Sequence, residues 1–126
     1  ILASHDHDSA LYALAASPDR RLVAVGGSDR FVMILDADTL AVKYRFRAHD
    51  ATISTACFHP TQPILATASS DHSLKLWRYA DATMLQSFIG VEGLSRSITF
   101  SPNGNLLATD GRDRAVRLIE VDESLR

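Results

Sequence analysis

The stretch HPTQPILATASSDHSLKLW at residues 59–77 contains a turn, an apolar run, a second turn and a second apolar run. The same order of residue types occurs earlier, in SPDRRLVAVGGSDRFVMIL at 17–35, and again later, in SPNGNLLATDGRDRAVRLI at 101–119, with equal spacing between the copies. In each copy a proline marks the first turn, and an aspartate marks the second turn eleven residues after it. Three copies, at 1–42, 43–84 and 85–126, fill all 126 residues, which predicts a single repeat domain.

Within each copy, short apolar runs alternate with turn residues, and this spacing is typical of β-strands rather than of an amphipathic helix. The prediction is an all-β chain in which each copy folds as a four-stranded antiparallel blade. The predicted strands are at 10–16, 22–26, 31–36 and 42–46 in the first copy, at 52–58, 64–68, 73–78 and 84–88 in the second, and at 95–100, 106–109 and 115–121 in the third. Four strands in a repeat of about 40 to 45 residues are typical of the blades of a β-propeller.

The middle copy resembles a blade of the WD-repeat family, and the resemblance extends over the whole chain. In that family a histidine, a strand hydroxyl, the turn aspartate and a tryptophan form a hydrogen-bonded chain. The matching positions in the middle copy are His49, Thr67, Asp71 and Trp77. The resemblance therefore implies a structural network there, in which the indole N–H, the hydroxyl and the imidazole are joined to a carboxylate.

The other two copies depart from this pattern. The first has His7 and Asp29 but carries Val25 and Leu35 where the hydroxyl and the indole would be. The third keeps Thr109 and Asp113 but carries Val91 and Ile119 at the outer positions. We therefore expect one complete network and a simpler role for the aspartate in every copy, which is to accept N–H groups within a tight turn.

The face that carries the turn aspartate often binds peptides in WD-repeat proteins. By position, the resemblance implies these candidate contact residues: Tyr12, Ser28, Ser54, Ser70, Arg96 and Arg112. Tyrosine and arginine are favoured anchors in protein interfaces. The two arginines make an acidic or phosphorylated peptide the expected ligand, by charge complementarity.

We expect neither an enzyme nor a cofactor, because the predicted first strands of the three copies contain no Asp, Glu or His. The strongest metal suggestion is His5-Asp6-His7-Asp8, since alternate residues of a strand share a face. We interpret His7 as part of the blade network and His5 as a solvent-facing residue, so no metal site is expected. We also expect His59 and His72 to be exposed turn residues and Cys57 to be a small buried apolar residue.

Charge and hydropathy exclude further classes of partner. The formal net charge is −2, and the three copies carry about −3, +2 and −1, so no basic stripe for nucleic acid is expected. No stretch reaches 18 consecutive apolar residues, so no membrane partner is expected. The first residues are acidic and histidine-rich rather than signal-like, and the expected location is cytoplasmic.

Three blades are too few to close a ring, because propellers have about four to eight. The third copy is as apolar as the second, so neither end has a polar cap, and we predict an arc that needs partner blades. These blades would come from identical chains, two giving six blades or three giving nine, or from missing sequence. We further predict that residues 1–4 form the outer strand beside residues 115–120 of another copy or of a missing segment. Two functions stay open: a non-enzymatic scaffold for protein or peptide partners, or an assembly unit without a ligand whose function is oligomeric ring closure.

Overall fold

A computed structural model of the chain describes residues 7–89, 97–110 and 115–125. The all-β prediction is confirmed, since these residues form three separate antiparallel sheets. Blade 1 contains β1 (Leu11–Ala16), β2 (Leu22–Gly27), β3 (Phe31–Asp36) and β4 (Val42–Arg47). Blade 2 contains β5 (Ile53–Phe58), β6 (Ile64–Ser69), β7 (Ser73–Arg78) and β8 (Thr83–Ile89). Blade 3 contains β9 (Ile98–Phe100), β10 (Leu106–Asp110) and β11 (Val116–Glu120), followed by a 3₁₀ turn at Glu123–Leu125.

Each sheet is a meander in which every strand pairs with the next one along the chain. The predicted four-stranded form is found in blades 1 and 2, whereas blade 3 has three strands within the described part of the chain. The predicted outer strand at residues 1–4 lies outside the described residues.

The repeat period is also visible in the backbone conformation. The residue after the turn aspartate has a positive φ in both complete blades, 73° at Arg30 and 68° at His72. Leu40 and Ala82, which occupy the same position in successive copies, both have φ of 59°. Because non-glycine residues rarely adopt this left-handed conformation, its recurrence at matched positions shows that the two copies form their turns in the same way.

Blade 2 lies between the other two blades, and every residue of β6 is buried. Its side chains alternate between two apolar cores, as the period of a strand requires. The first core, toward blade 1, contains Ile34, Phe46, Phe58, Leu65 and Trp77. The second core, toward blade 3, contains Leu74, Leu76, Ile98, Phe100 and Leu107. Small residues of the second strands face large residues of the third strands, as in the register pairs Ala24–Ile34 and Ala66–Leu76.

The outer faces of the two terminal blades expose large apolar side chains. Leu14 of β1 is 74% exposed, and Val116 and Leu118 of β11 are 77% and 69% exposed. Exposed apolar side chains on both outer faces are suited to packing against further blades.

The prediction that His59 is exposed is wrong, because its side chain is buried. Its ring lies against Phe100, with the centroids 5.0 Å apart, and its Nε2–H donates to the Gly104 carbonyl at 3.1 Å. The sequence of blade 2 alone gave no signal for this burial, because both partners come from blade 3. His72 is exposed as predicted, and Cys57 is half-buried rather than fully buried.

Candidate peptide-binding face and its supporting network

In blade 2 a hydrogen-bonded chain runs from the sheet interior to the turn between β6 and β7. The indole N–H of Trp77 donates to Thr67 Oγ1 at 3.0 Å, and the Thr67 hydroxyl lies 2.7 Å from Nε2 of His49. His49 Nδ1 lies 3.0 Å from Asp71 Oδ2. One arrangement of protons satisfies all four side chains: Thr67 donates to Nε2 of a neutral imidazole, and Nδ1–H donates to the carboxylate.

Burial keeps this network neutral at its centre and charged only at its edge. Burial lowers the pKa of His49, against the opposing effect of Asp71, which agrees with a neutral ring whose Nε2 accepts a hydrogen bond from the Thr67 hydroxyl. Burial acts to raise the pKa of Asp71, but the hydrogen bonds from Ser73 and the Asp50 amide, together with the Nδ1–H of His49, outweigh it and lower this pKa to about 2. The carboxylate therefore stays ionised and fixes the turn.

The carboxylate of Asp71 organises the turn by accepting hydrogen bonds from several donors. Its Oδ1 accepts from the Ser73 amide at 2.9 Å and from the Ser73 hydroxyl at 2.6 Å. Its Oδ2 accepts from the Asp50 amide at 3.1 Å, which ties the turn to the segment before β5. Sequence reasoning missed Ser73, although a hydroxyl two residues after a turn aspartate was an available signal. Blade 1 has Phe31 at this position.

Blade 1 keeps only the outer half of this network. His7 Nε2 lies 3.0 Å from Asp29 Oδ2, and Asp29 Oδ1 accepts from the Phe31 amide at 3.1 Å. Val25 and Leu35, at the positions of the hydroxyl and the indole, are buried in a small apolar cluster with Met33. The polar chain is thus replaced by apolar contacts.

In blade 3 the described residues include two of the positions that match the hydrogen-bonded network of blade 2. Thr109 is buried, with its hydroxyl donating to the Asp110 carbonyl at 3.2 Å, and Ile119 packs against the second core. Asp113 and Val91 lie outside the described residues.

The structure places the predicted peptide-contact residues of blades 1 and 2 in matching environments. Tyr12 and Ser54, at the same position of successive copies, each lie where the first strand shifts register against the second, with Tyr12 between the pairs Leu11–Gly27 and Ala13–Gly26. Such a bulge re-aims the side chain of the extra residue. Tyr12 is 63% exposed, while the Ser54 hydroxyl donates to the Ala68 carbonyl at 3.2 Å.

Ser28 and Ser70 lie beside these bulges, immediately before the turn aspartates. Both are exposed, and each backbone amide bonds the carbonyl that precedes the first strand at 3.0 Å, Ser28 to Ala10 and Ser70 to Thr52. Tyr12, Ser28, Ser54 and Ser70 therefore lie at the same end of their blades as Asp29 and Asp71. Arg96 and Arg112, the predicted basic contacts, lie outside the described residues. The bulges themselves were not predictable from the residue types.

Residues 7–89, 97–110 and 115–125 contain no group of three or more His, Cys, Asp or Glu side chains that could hold a metal ion. Over the same residues there is no helix with the length and apolar character needed to cross a membrane. Of the metal suggestion at residues 5–8, His5 and Asp6 lie outside these ranges, and His7 lies in hydrogen-bond contact with Asp29.

Antiparallel meanders packed face to face, four-stranded in blades 1 and 2, with a turn aspartate in each copy of the repeat, define a β-propeller repeat protein. The model of the family "WD domain, G-beta repeat" matches residues 1–36, 41–78 and 84–120, so the chain belongs to the WD-repeat family. The resemblance stated from the sequence is thereby confirmed.

Two curated relatives show the extent of the similarity. The chain is 33% identical over 104 residues to nuclear distribution protein PAC1 of Komagataella phaffii, covering 79% of this chain and 21% of that protein. It is 32% identical over 120 residues to the U3 snoRNP-associated protein-like EMB2271 of Arabidopsis thaliana, covering 95% of this chain and 25% of that protein. The chain thus spans about a quarter or less of these relatives.

A third relative matches over a shorter stretch, and a solved structure shares the fold. The mouse U5 small nuclear ribonucleoprotein 40 kDa protein is 37% identical over 70 residues, covering 56% of this chain and 20% of that protein. The structure of U3-55K superposes with a TM-score of 0.82 at 23% identity, covering 95% of this chain and 37% of that chain. At this identity the superposition establishes the fold alone.

Proposed function

We propose that the chain is part of a non-enzymatic protein-interaction scaffold that binds a peptide segment of its partner on the face of the turn aspartates. The observation that carries the proposal is the pair of matched bulges at Tyr12 and Ser54, each beside an exposed serine that precedes the turn aspartate. A rigid sheet with re-aimed side chains at its rim is suited to recognition rather than to acid–base chemistry.

Family membership supports this proposal. One similar protein is named U3 snoRNP-associated protein-like EMB2271 and another U5 small nuclear ribonucleoprotein 40 kDa protein, and both names refer to multi-component particles. For this chain the expected ligand is an acidic or phosphorylated peptide that pairs with Arg96 and Arg112. The cytoplasmic location stays a prediction.

The test is an array of acidic and phosphorylated peptides, each beside its neutral counterpart, probed with the full chain. We expect selective binding of the charged peptides, a loss of binding in Arg96→Ala/Arg112→Ala, and a several-fold loss in Tyr12→Ala. Val42→Ala is the matched control, because Val42 is 48% exposed but lies on the outermost strand β4. Equal loss in the control, or binding that ignores charge, would contradict the proposal.

A second candidate function is assembly, which the exposed outer faces of blades 1 and 3 favour. Leu14 on one face and Val116 and Leu118 on the other are available to pack against further blades. We propose that these blades come either from identical chains, in rings of six or nine blades, or from a longer polypeptide.

The absolute mass in solution distinguishes blades from identical chains from blades of a longer polypeptide. Light scattering behind a sizing column, over a range of concentrations, would show a dimer or trimer that resists dilution if identical chains close the ring. A monomer would assign the additional blades to a longer polypeptide. Leu118→Glu should dissociate the dimer or trimer, and an unchanged mass in that variant would reject the use of this face.

A further inference from the structure

The structure has a cleft on the face opposite the turn aspartates, between the β1–β2 turn of blade 1 and the β5–β6 turn of blade 2. Its volume is about 450 Å³, which exceeds that of a single side chain. The walls include Pro18, Pro60 and Pro63, and the aromatic rings of Phe58 and Tyr79 line it as well. Asp19 contributes a carboxylate to the same cleft.

The carboxylate of Asp19 is held in place and has an oxygen available. Its Oδ1 accepts from the Ser17 hydroxyl at 2.6 Å and from the Arg21 amide at 3.0 Å. Within the described part of the chain, Oδ2 has no hydrogen-bond donor. The hydrogen bond from Ser17, followed by that from the Arg21 amide, lowers the pKa of Asp19, so the group is ionised at neutral pH.

Tyr79 supplies a rigid aromatic wall with a polar end. Its ring lies between Phe58, at 5.7 Å edge to face, and Tyr44, at 5.8 Å, measured between centroids. Burial, followed by the negative charge of Asp19, raises the pKa of Tyr79, so the hydroxyl remains protonated. No partner of this hydroxyl occurs among the described residues.

At the matched position in the joint between blades 2 and 3, a side chain crosses to the next blade. There His59, rather than a serine, spans the gap to the Gly104 carbonyl. Ser17 is too short to do this and instead binds within its own turn. The two matched turns therefore differ at the joint: the serine binds within its own turn, whereas the histidine reaches the next blade.

We propose that this cleft binds a single arginine or lysine of a partner peptide, with apolar residues on either side of it. The charged group would donate to Asp19 Oδ2 and Tyr79 Oη, while its methylene stem lies along the prolines and the tyrosine ring. Arg20 and Arg21 directly follow Asp19 and are exposed, so each further basic residue of a ligand would be repelled without a carboxylate to offset it. The site therefore selects an isolated basic residue.

The experiment compares two capped peptides, Ac-Leu-Arg-Val-NH₂ and its neutral citrulline analogue, by NMR titration of the full chain. We expect the arginine peptide to shift amide signals of residues 17–21 and 59–63 and to bind about fivefold more tightly than the analogue. Asp19→Asn should abolish this preference, because asparagine keeps an acceptor for Ser17 and Arg21 but removes the charge. Tyr79→Phe should weaken the arginine peptide about threefold.

Asp38→Asn is the matched control, since Asp38 is an exposed carboxylate at the same end of blade 1 but outside the cleft. Equal binding of the citrulline peptide, equal loss in Asp38→Asn, or no binding would overturn the proposal. Tighter binding of the neutral proline-rich peptide Ac-Leu-Pro-Pro-Val-NH₂ would also overturn it, because the cleft would then recognise apolar chain. The site is independent of the proposed peptide face, and Tyr12→Ala, which disables that face, should leave this titration unchanged.

Discussion

Blades 1 and 2 use the same two interior positions in opposite ways. In blade 2, Thr67 and Trp77 continue the hydrogen-bonded chain from His49 into the sheet. In blade 1, Val25 and Leu35 fill those positions with apolar atoms. Within the described residues of these blades, neither arrangement leaves a buried polar side chain unpaired. A buried polar chain must have all its donors and acceptors hydrogen-bonded or be replaced by apolar groups, because one unpaired buried group costs about 1–3 kcal/mol. Variants that mix the two solutions should therefore lose stability, and the second change of a pair should cost less than it does alone.

The largest effect is expected for Trp77→Leu, which places the blade 1 residue in blade 2. The free energy of unfolding should fall by about 3 kcal/mol, because the indole is lost from the first core. There the centroids of the Trp77 and Phe46 rings are 4.9 Å apart. Urea denaturation measures this loss. Trp77→Phe, which keeps an aromatic ring but no N–H, should lose less, and equal losses in the two variants would contradict a packing role.

The next effect is expected for Thr67→Val, a change that keeps the shape but removes the hydroxyl. The loss should be about 2 kcal/mol, since the Trp77 N–H and the His49 Nε2 would both be unpaired in a buried site. Combined with Trp77→Leu it should cost about 1 kcal/mol less than the sum of the single changes, because the double variant approaches the apolar solution of blade 1. Strict additivity in this cycle, measured by urea denaturation, would show that the two residues are not coupled.

A smaller effect is the difference in stability loss between variants of the two turn aspartates. Asp71→Asn should cost about 2 kcal/mol and Asp29→Asn about 1 kcal/mol, because Asp71 accepts from two amides, a hydroxyl and an imidazole, whereas Asp29 accepts from one amide and one imidazole. The pKa of Asp71 is lowered from 3.8 to about 2, so its contribution is present above pH 3.8 and is lost as the pH falls toward 2. Stability measured between pH 4 and pH 2 should therefore vary less in Asp71→Asn than in the parent. An unchanged profile would argue against the carboxylate as the cause.

The smallest effect concerns the joint between blades 2 and 3. His59 Nδ1 accepts from the Thr61 and Gln62 amides, at 3.2 and 3.0 Å, which a protonated ring could not do. Burial lowers the pKa of His59, so the unfolded chain takes up a proton below about pH 6.5 that the folded ring resists, and stability falls as the pH falls from 7 to 5.

His59→Ser, which copies Ser17 and Ser101, should reduce this decline without removing it, because the pKa of His49 is lowered as well. Thermal unfolding at pH 7, 6 and 5 measures the change, with the exposed His72→Ser as the control. A parallel decline in His59→Ser and in the parent would exclude the joint as the source.

Local patterns were sufficient to predict the strands and turns of this chain. β3 and β7 have the predicted bounds, and most other strands differ by a residue or two, because apolar runs and turn residues act over short distances. The geometry of the candidate site was harder to predict from the sequence. The positions of Tyr12 and Ser28 follow from the repeat, but the bulge that re-aims Tyr12 depends on the pairing of two strands. The burial of His59 and the cleft beside Asp19 depend on contacts between blades, which no single copy encodes.

The meander order of the strands has a consequence for biosynthesis. Blade 1 is completed between Leu11 and Arg47 and blade 2 between Ile53 and Ile89, each from fewer than forty consecutive residues. Since translation proceeds at about 5–20 residues per second, each of these sheets has seconds in which to pair its strands before the next one emerges from the ribosome. The first core forms only after β5 has been synthesised. Until then, the face of blade 1 that packs against blade 2 in the folded protein is uncovered. At that stage a chaperone that binds exposed apolar strands would act on blade 1.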